Sequence, residues 1–222
     1  MEITWLAHSC FRLRSNNITL LTDPFPSDIG ASMEGNGDPN IVTVSNSHPN
    51  HSHWKDTKSD YQLLDGPGEY AVSGIYIRGI LTPGQPDNPT EHRNTAYFIE
   101  MEGLNLCHLG DMSALVTDRQ VNELTPVDVL FVPAGGGCTL EPGRLGQVIQ
   151  TLSPRLVVPM HYMVPGLKIE LGSVDSFLRE MGHRQEEEPQ ARLNVTSTNL
   201  PAETKVVLLR PTGLPRQAPS QR

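Results

Sequence analysis

The chain has 222 residues, of which 37% are hydrophobic and 19% charged, with 19 Gly, 19 Pro and a formal net charge of −8. This length gives one domain with a sizeable core, and the composition is that of an ordinary soluble protein rather than a disordered one. The negative balance argues against a nucleic-acid backbone or an anionic membrane as partner, because both require a basic surface. No run of about 18 apolar residues offers a membrane span. The start, "MEITWLAHSCFRL", has an acidic second residue and no apolar core of a signal peptide. Cys10, Cys107 and Cys138 are odd in number and widely spaced, which speaks against a disulfide framework and a thiolate zinc site and for a reducing cytoplasm.

In chain order, "EITWLA", "CFRLRS" and "ITLLTD" read as short strands separated by turn residues. Pro24 to Asn40 is a long loop, of the kind that is often functional or mobile. "IVTVS" is apolar enough for a central strand and runs into "NSHPNHSHW", which packs His48, His51 and His53 together. "YQLL", "EYAV" and "IYIRGI" follow as strands, then a second loop, "TPGQPDNPTEHR". "TAYFIEME-GLNLCHLGD" reads as a hairpin with a tight Glu-Gly turn.

The period then changes. "TDRQVNEL" has a Thr N-cap and helical spacing, "VDVLFVP" is a buried strand, "EPGRLGQVIQTLS" a helix, "PRLVVPM" a strand, and "SVDSFLREMG" a helix with a Ser N-cap and a terminal Gly. No repeat at a period of about 20–50 residues occurs. The expected class is α/β (α+β) with a mixed sheet, in a single domain over 1–212 and a polar, Pro-rich, disordered tail over 213–222.

Six of these strands finish in His, Asp or Gly-rich loops. His8 follows "ITWLA", Asp23 ends "ITLLT", the histidine loop follows "IVTVS", His108 and Asp111 follow "LNLC", "PAGGG" follows "VDVLFV", and His161 follows "RLVVPM". Ligands of layered α/β proteins bind where strand C-termini meet at one edge. Taken singly, each has a structural reading: a His at a strand end is usually a hydrogen-bonding residue, Gly135–Gly137 a turn, and His53, His92 and His183 exposed. No G-x-G-x-x-G or G-x-x-x-x-G-K-[ST] motif supports nucleotide binding. In combination, His48, His51, Asp111 and His161 are the nitrogen and oxygen donors that suit Zn, Mn or Fe. An ion held by such a set lowers the pKa of its water to about 7.

The ordered segments "TWLAHSCFRL", "LLTDPF", "VTVSNSHPNH", "GPGEY", "HLGDMS" and "VVPMHY" resemble the metallo-β-lactamase superfamily. The similarity is to a branch of predicted metal-dependent hydrolases that includes ascorbate-6-phosphate lactonase-like proteins, and it runs from about Met1 to Tyr162. The resemblance implies a four-layer αββα sandwich of two mixed sheets flanked by helices. It implies hydrolysis of an ester, lactone, amide or phosphoester by metal-activated water, with a small molecule as substrate and a homo-oligomer as an open alternative to a monomer.

The family motif H-x-H-x-D-H falls on Asn46, Ser47, His48, Pro49, Asn50 and His51, so its first His is Asn46 and its Asp is Asn50. By resemblance, one metal position retains His48 and Asp111 with a weak Asn46 carbonyl, and the other retains His51, His161 and Asp111 with Asn50 in place of Asp. Asp23 matches the buried Asp beneath the metals, and Asp111, His8 and Asn50 take the catalytic places, with His8 or His48 orienting substrate. The third-motif His has no secure counterpart: Arg78 stands in its region, and His92 and His108 are the candidates, His108 otherwise supporting the ligands from behind. A neutral amide is a poor donor to a transition metal and cannot act as a general base. One divalent ion, Zn or Mn, is therefore expected rather than two, at His51, His161 and Asp111. The alternative is a degenerate relative with little or no metal that binds a small molecule or a protein partner.

Overall fold

A computed structural model of the chain describes residues 1–33, 38–57, 60–83, 93–182 and 188–214. The strands are β1 (Glu2–Ala7), β2 (Cys10–Ser15), β3 (Ile18–Thr22), β4 (Ile41–Thr43), β5 (Gln62–Leu64), β6 (Gly68–Val72), β7 (Ile75–Thr82), β8 (Asn94–Met101), β9 (Leu104–His108), β10 (Val129–Pro133), β11 (Leu156–Met160), β12 (Leu193–Asn194) and β13 (Lys205–Val206). They form two mixed sheets, in the orders β12-β1-β2-β3-β4-β5 and β13-β11-β10-β9-β8-β7-β6. β3, β4 and β5 are parallel, as are β9, β10, β11 and β13, whereas the hairpins at the start of each sheet are antiparallel.

Alternation along the first sheet sorts its side chains onto two faces. Ile3, Trp5, Phe11, Leu13, Leu20, Ile41 and Leu64 join the core shared with the second sheet, where the Phe11 and Phe131 rings meet at 4.4 Å. Cys10, Leu21 and Val42 face the other way and pack with Phe25, Ile29 and Ala31. The outer layer on that side contains no α-helix among the described residues. It consists of 3-10 turns at Ser27–Ile29 and Trp54–Asp56 and of loop residues such as Leu167 and Ile169. The long loop after β3 is thus a packing layer, with 34–37 outside the described residues.

Three helices follow the sequence signals closely: α1 (Asp118–Leu124), α2 (Pro142–Leu152) and α3 (Asp175–Glu180). Thr117 caps α1, and Gln120 completes a reciprocal capping box with it. Pro142 opens α2, where its missing N–H costs nothing. α3 departs from expectation by one position: its N-cap is Val174, while the Ser173 hydroxyl accepts the Asp175 N–H at 3.2 Å. The β8–β9 turn is carried by Glu102 and Gly103 at φ 53° and 70°, the left-handed pair a two-residue hairpin requires.

β12 and β13 are two-residue pairings with no sequence pattern to announce them. Gly213 N–H donates to Leu6 O at 2.8 Å and Ser32 N–H to Gly213 O at 2.8 Å. Residues 215–222 lie outside the described residues. Among the described residues no helix is long and apolar enough to cross a membrane, and all three cysteines are free.

One side chain ties the sheets together near the strand ends. Tyr97 of β8 is fully buried, and its hydroxyl lies 3.0 Å from Val44 O and 2.8 Å from Leu64 O of the first sheet. Tyr97→Phe leaves those carbonyls short of a donor and is expected to destabilise the fold by about 1–2 kcal/mol. Urea unfolding should show a lower midpoint with an unchanged slope.

Candidate metal centre

β1, β3 and β4 run in the same direction in the first sheet, and β9, β10 and β11 do so in the second. Their C-terminal ends deliver His8, Asp23, the Ser45–His51 loop, Asp111 and His161 to one edge of the sandwich. The two sheets are bonded there through the backbone: His161 N–H donates to His8 O at 3.0 Å and Thr95 N–H to Ser45 O at 2.7 Å. The Trp5 indole donates to the same His8 carbonyl at 2.9 Å. His8, Asp23 and His161 each sit at positive φ, 53°, 39° and 53°. Non-glycine residues hold that conformation only where the surroundings enforce it.

The centre is built on Asp23, which is wholly buried. The Ser45 N–H donates to its Oδ1 at 2.7 Å and the Ser45 hydroxyl to its Oδ2 at 2.6 Å. Asp23 Oδ2 lies 2.8 Å from His51 Nδ1, which turns His51 Nε2 toward Asp111 Oδ2, also at 2.8 Å. Carboxyl groups bonded to the far nitrogen of an imidazole in this way orient it as a metal ligand. Asp111 is aimed by its own N–H, which donates to Asn94 Oδ1 at 2.8 Å. The preceding Gly110 has φ 58°, and a Cβ there would stand 2.3 Å from Asn94 Oδ1 and 2.6 Å from Ser45 Cβ. His161 Nε2 is 3.3 Å from Asp111 Oδ1.

His8 completes the group. One ring nitrogen from each of His8, His51 and His161 lies within 4.8 Å of the others, and all three residues are buried. Among the described residues His8 Nδ1, His161 Nδ1 and Asp111 Oδ1 are buried without a hydrogen-bond partner. Two donors each about 2.1 Å from one ion stand roughly 3.0–3.4 Å apart at right-angle or tetrahedral geometry. The 3.3 Å separation of Asp111 from His161 falls within that spacing, and the 2.8 Å separation from His51 is slightly shorter.

The electrostatics divide these groups. Burial alone would lower the His51 pKa, but the Asp111 and Asp23 carboxylates outweigh it and push it up to about 10. Burial lowers His8 well below its ordinary value, with the neighbouring His161 and His51 adding to the effect. Burial likewise lowers His161 and His108. Asp111 is held well below the usual carboxylate range: burial opposes this, and His51 and His161 overcome it.

Several sequence expectations separate at this point. His51, His161 and Asp111 are brought together, and His8 stands among the candidate ligands rather than only beside them. His48 does not belong to the three-histidine group. It is half-exposed, its Nδ1 accepts the Asn50 N–H at 3.2 Å, and its ring centre is 6.2 Å from that of His51. Asn46 is not arranged as an oxygen ligand: its Oδ1 accepts the His48 N–H at 2.9 Å, so its amide nitrogen faces Asp111 Oδ2 at 3.4 Å. Asn50 is half-buried and is tied to the loop through its N–H to His48.

His108 cannot supply the missing third-motif ligand. It is buried beside Phe11 and Phe131, with Nε2 2.9 Å from Ser9 O and Nδ1 accepting the Gly110 N–H at 3.3 Å. It steadies the loop that carries Asp111. Arg78 is committed to Tyr76, Glu69 and the Glu123 carbonyl. His53, expected to be exposed, is half-buried, its N–H on Pro24 O at 2.9 Å. His92 and His183 lie outside the described residues. Two supports escaped the sequence reading, Asn94 and Ser45. Both are small polar residues at a strand boundary, a weak signal without the fold.

The chain belongs to the metallo-β-lactamase superfamily: the profile of the Beta-lactamase superfamily domain matches residues 2–161. A curated relative from Methanoculleus marisnigri, named a UPF0173 metal-dependent hydrolase, is 28% identical over 189 residues, covering 73% of this chain and 81% of that one. A UPF0173 protein of Pyrococcus abyssi is 25% identical over 210 residues, covering 83% and 92%. Among solved structures, a superfamily protein from Thermotoga maritima, proposed there to be a Zn-dependent hydrolase, is 33% identical with a TM-score of 0.77, covering 94% of this chain and 97% of that one.

Two outcomes are expected of this geometry. Gly110→Ala forces a Cβ into Asn94 and Ser45 at a positive φ, and is expected to cost at least about 2 kcal/mol in denaturant unfolding. The metal-free protein should also show opposed histidine effects on stability. His8, His108 and His161 bind protons less readily folded than unfolded, so stability is lost as pH falls below about 6.5. His51 binds its proton more tightly folded, so its contribution is complete below about 6.5. That contribution is lost as pH rises through a folded-state pKa of about 10. His51→Asn should flatten the alkaline limb of a pH–stability profile and only shallow the acid limb, which burial of His8, His108 and His161 dominates.

Proposed function

We propose that the chain is a metal-dependent hydrolase of small molecules, holding one divalent ion, Zn or Mn, at His51, His161 and Asp111. The observation that carries this reading is the Asp23–His51–Asp111 chain, with its two 2.8 Å contacts, closed by His161 at 3.3 Å. An ion bound there would acidify water and polarise an acyl or phosphoryl oxygen, the chemistry that hydrolysis of an ester, lactone, amide or phosphoester requires.

The residues of the chain supply the rest. Asp23 and Ser45 fix the His51 tautomer, with the proton on Nδ1 and Nε2 left for the ion. Asn94 and Gly110 hold the Asp111 carboxylate against relaxation, so the cost of ordering it is met in folding rather than in binding. Asp111 is the carboxylate that would help hold the ion, and the Asn46 amide steadies its Oδ2. Asn50 has no acidic proton acceptor to offer, so general-base work falls to Asp111 or to a solvent-side histidine such as His48.

Metal loading makes the test. Protein stripped with chelator and titrated with Zn or Mn should take up one ion, and His161→Ala should weaken binding at least about tenfold. Uptake at pH 7 should release about one proton, because the ion displaces the proton from His51 Nε2. Calorimetry in buffers of different ionisation enthalpy measures that release. The loaded protein should hydrolyse at least one member of a panel of esters, lactones, amides and phosphoesters. Absence of metal binding near neutral pH, with ligand stabilisation that needs no metal, would replace this reading with that of a degenerate binding protein.

A further inference from the structure

We infer that His8 is the third imidazole ligand of the ion, taking over the coordination that the motif loses at Asn46 and Asn50. This rests on the metal-binding reading above, and it assigns to the turn after β1 a ligand role that the H-x-H-x-D-H loop alone does not provide.

Three independent observations converge. The first is placement. His8 is wholly enclosed, with its ring centre 4.4 Å from that of His161 and 4.6 Å from that of His51, whereas the motif's own His48 is half-exposed and 6.2 Å from His51. The ligand nitrogens of His8, His51 and His161 already lie within 4.8 Å of one another, so gathering them onto one ion needs side-chain movement of about an ångström or less.

The second is unmet hydrogen bonding. His8 Nδ1, His161 Nδ1 and Asp111 Oδ1 are buried with no partner, and they belong to the same cluster. Each such atom costs about 1–3 kcal/mol where nothing satisfies it. Of these, His8 Nδ1 and Asp111 Oδ1 are free to turn to a shared cation, while His161 offers the Nε2 that already faces Asp111.

The third is the backbone. His8 adopts φ 53° at the end of β1, and its carbonyl accepts both the His161 N–H and the Trp5 indole N–H. That conformation suits the two-residue β1–β2 hairpin, as it does at Glu102 between β8 and β9. Here the turn locks the His8 and His161 backbones together, so the two imidazoles are delivered as a pair. Meanwhile Asn46 closes the vacated motif position: its amide nitrogen donates to Asp111 Oδ2 and Ser45 Oγ, and its oxygen takes the His48 N–H.

The test counts ligands rather than turnover. X-ray absorption on the Zn-loaded full-length protein should show three imidazoles and one carboxylate. His8→Asn is the variant of choice, because Asn tolerates positive φ and keeps the turn. It should lower the count to two imidazoles and weaken Zn binding at least about thirtyfold, with unchanged secondary structure by circular dichroism. His48→Ala should keep three imidazoles and bind Zn within about threefold of the parent. A parent site with only two imidazoles, or equal affinity in His8→Asn, overturns this assignment while leaving the metal-binding reading intact. A parent protein that binds no Zn at all overturns both.

Discussion

The functional edge depends on burying a carboxyl group where no water reaches it. Asp23 has no exposed surface, and it is tolerable there only because Ser45 donates to it twice and His51 once. That arrangement does more than satisfy one side chain. Ser45 closes β4 and Asp23 closes β3, so the bonds between them fix how two parallel strands end. His51 is then oriented against Asp111 from the opposite sheet. A structural requirement of the first sheet and the aim of a ligand toward the second are the same set of hydrogen bonds. Removing Asp23 would strip His51 of one of the two carboxylates that hold its pKa high and would also free its ring to turn.

Around that centre the chain accepts local strain. His8, Asp23 and His161 leave their strands through left-handed backbone, and Gly110 does the same before Asp111. Four connections thus bend the same way at one edge, each bringing a side chain inward rather than continuing the strand. Such conformations persist only where packing and hydrogen bonds over-determine them. The cross-sheet bonds from His161 to His8 and from Thr95 to Ser45, and the Tyr97 hydroxyl on Val44 and Leu64, supply that over-determination. The core beneath, from Trp5 and Phe11 across to Phe131, makes the edge rigid enough to hold partly unsatisfied imidazoles without collapse.

Most strands were legible because their alternation and turn residues are local signals, and α1 and α2 because Thr117 and Pro142 mark their starts. The convergence of strand ends was legible too, since His8, Asp23, His51, Asp111 and His161 all follow apolar runs. The distribution of roles among them was not. Motif alignment places His48 and Asn46 in ligand slots, but a slot in a sequence says nothing about where a side chain points once its neighbours change. Asn46 Oδ1 is captured by the loop's own backbone, and His48 Nδ1 by Asn50, both contacts two residues apart. Conversely, the importance of Asn94 comes from a bond to Asp111 across a loop and was invisible without the fold. β12 and β13 are too short for any pattern, and they form because the sheet edges offer unpaired backbone.

The two asparagines make sense as a pair on charge grounds. A second divalent ion beside the first would need further negative charge close by, and the motif Asp that could provide it is Asn50 here. With the acid gone, a second cation would meet only Asp111 and the first ion, an unfavourable balance in a buried, weakly screened site. Asn46 offers Asp111 Oδ2 a neutral donor at 3.4 Å instead. Replacing the Asp removes one negative charge, whereas a second divalent ion would add two positive ones, so the asparagines weaken the case for a second ion rather than for a first.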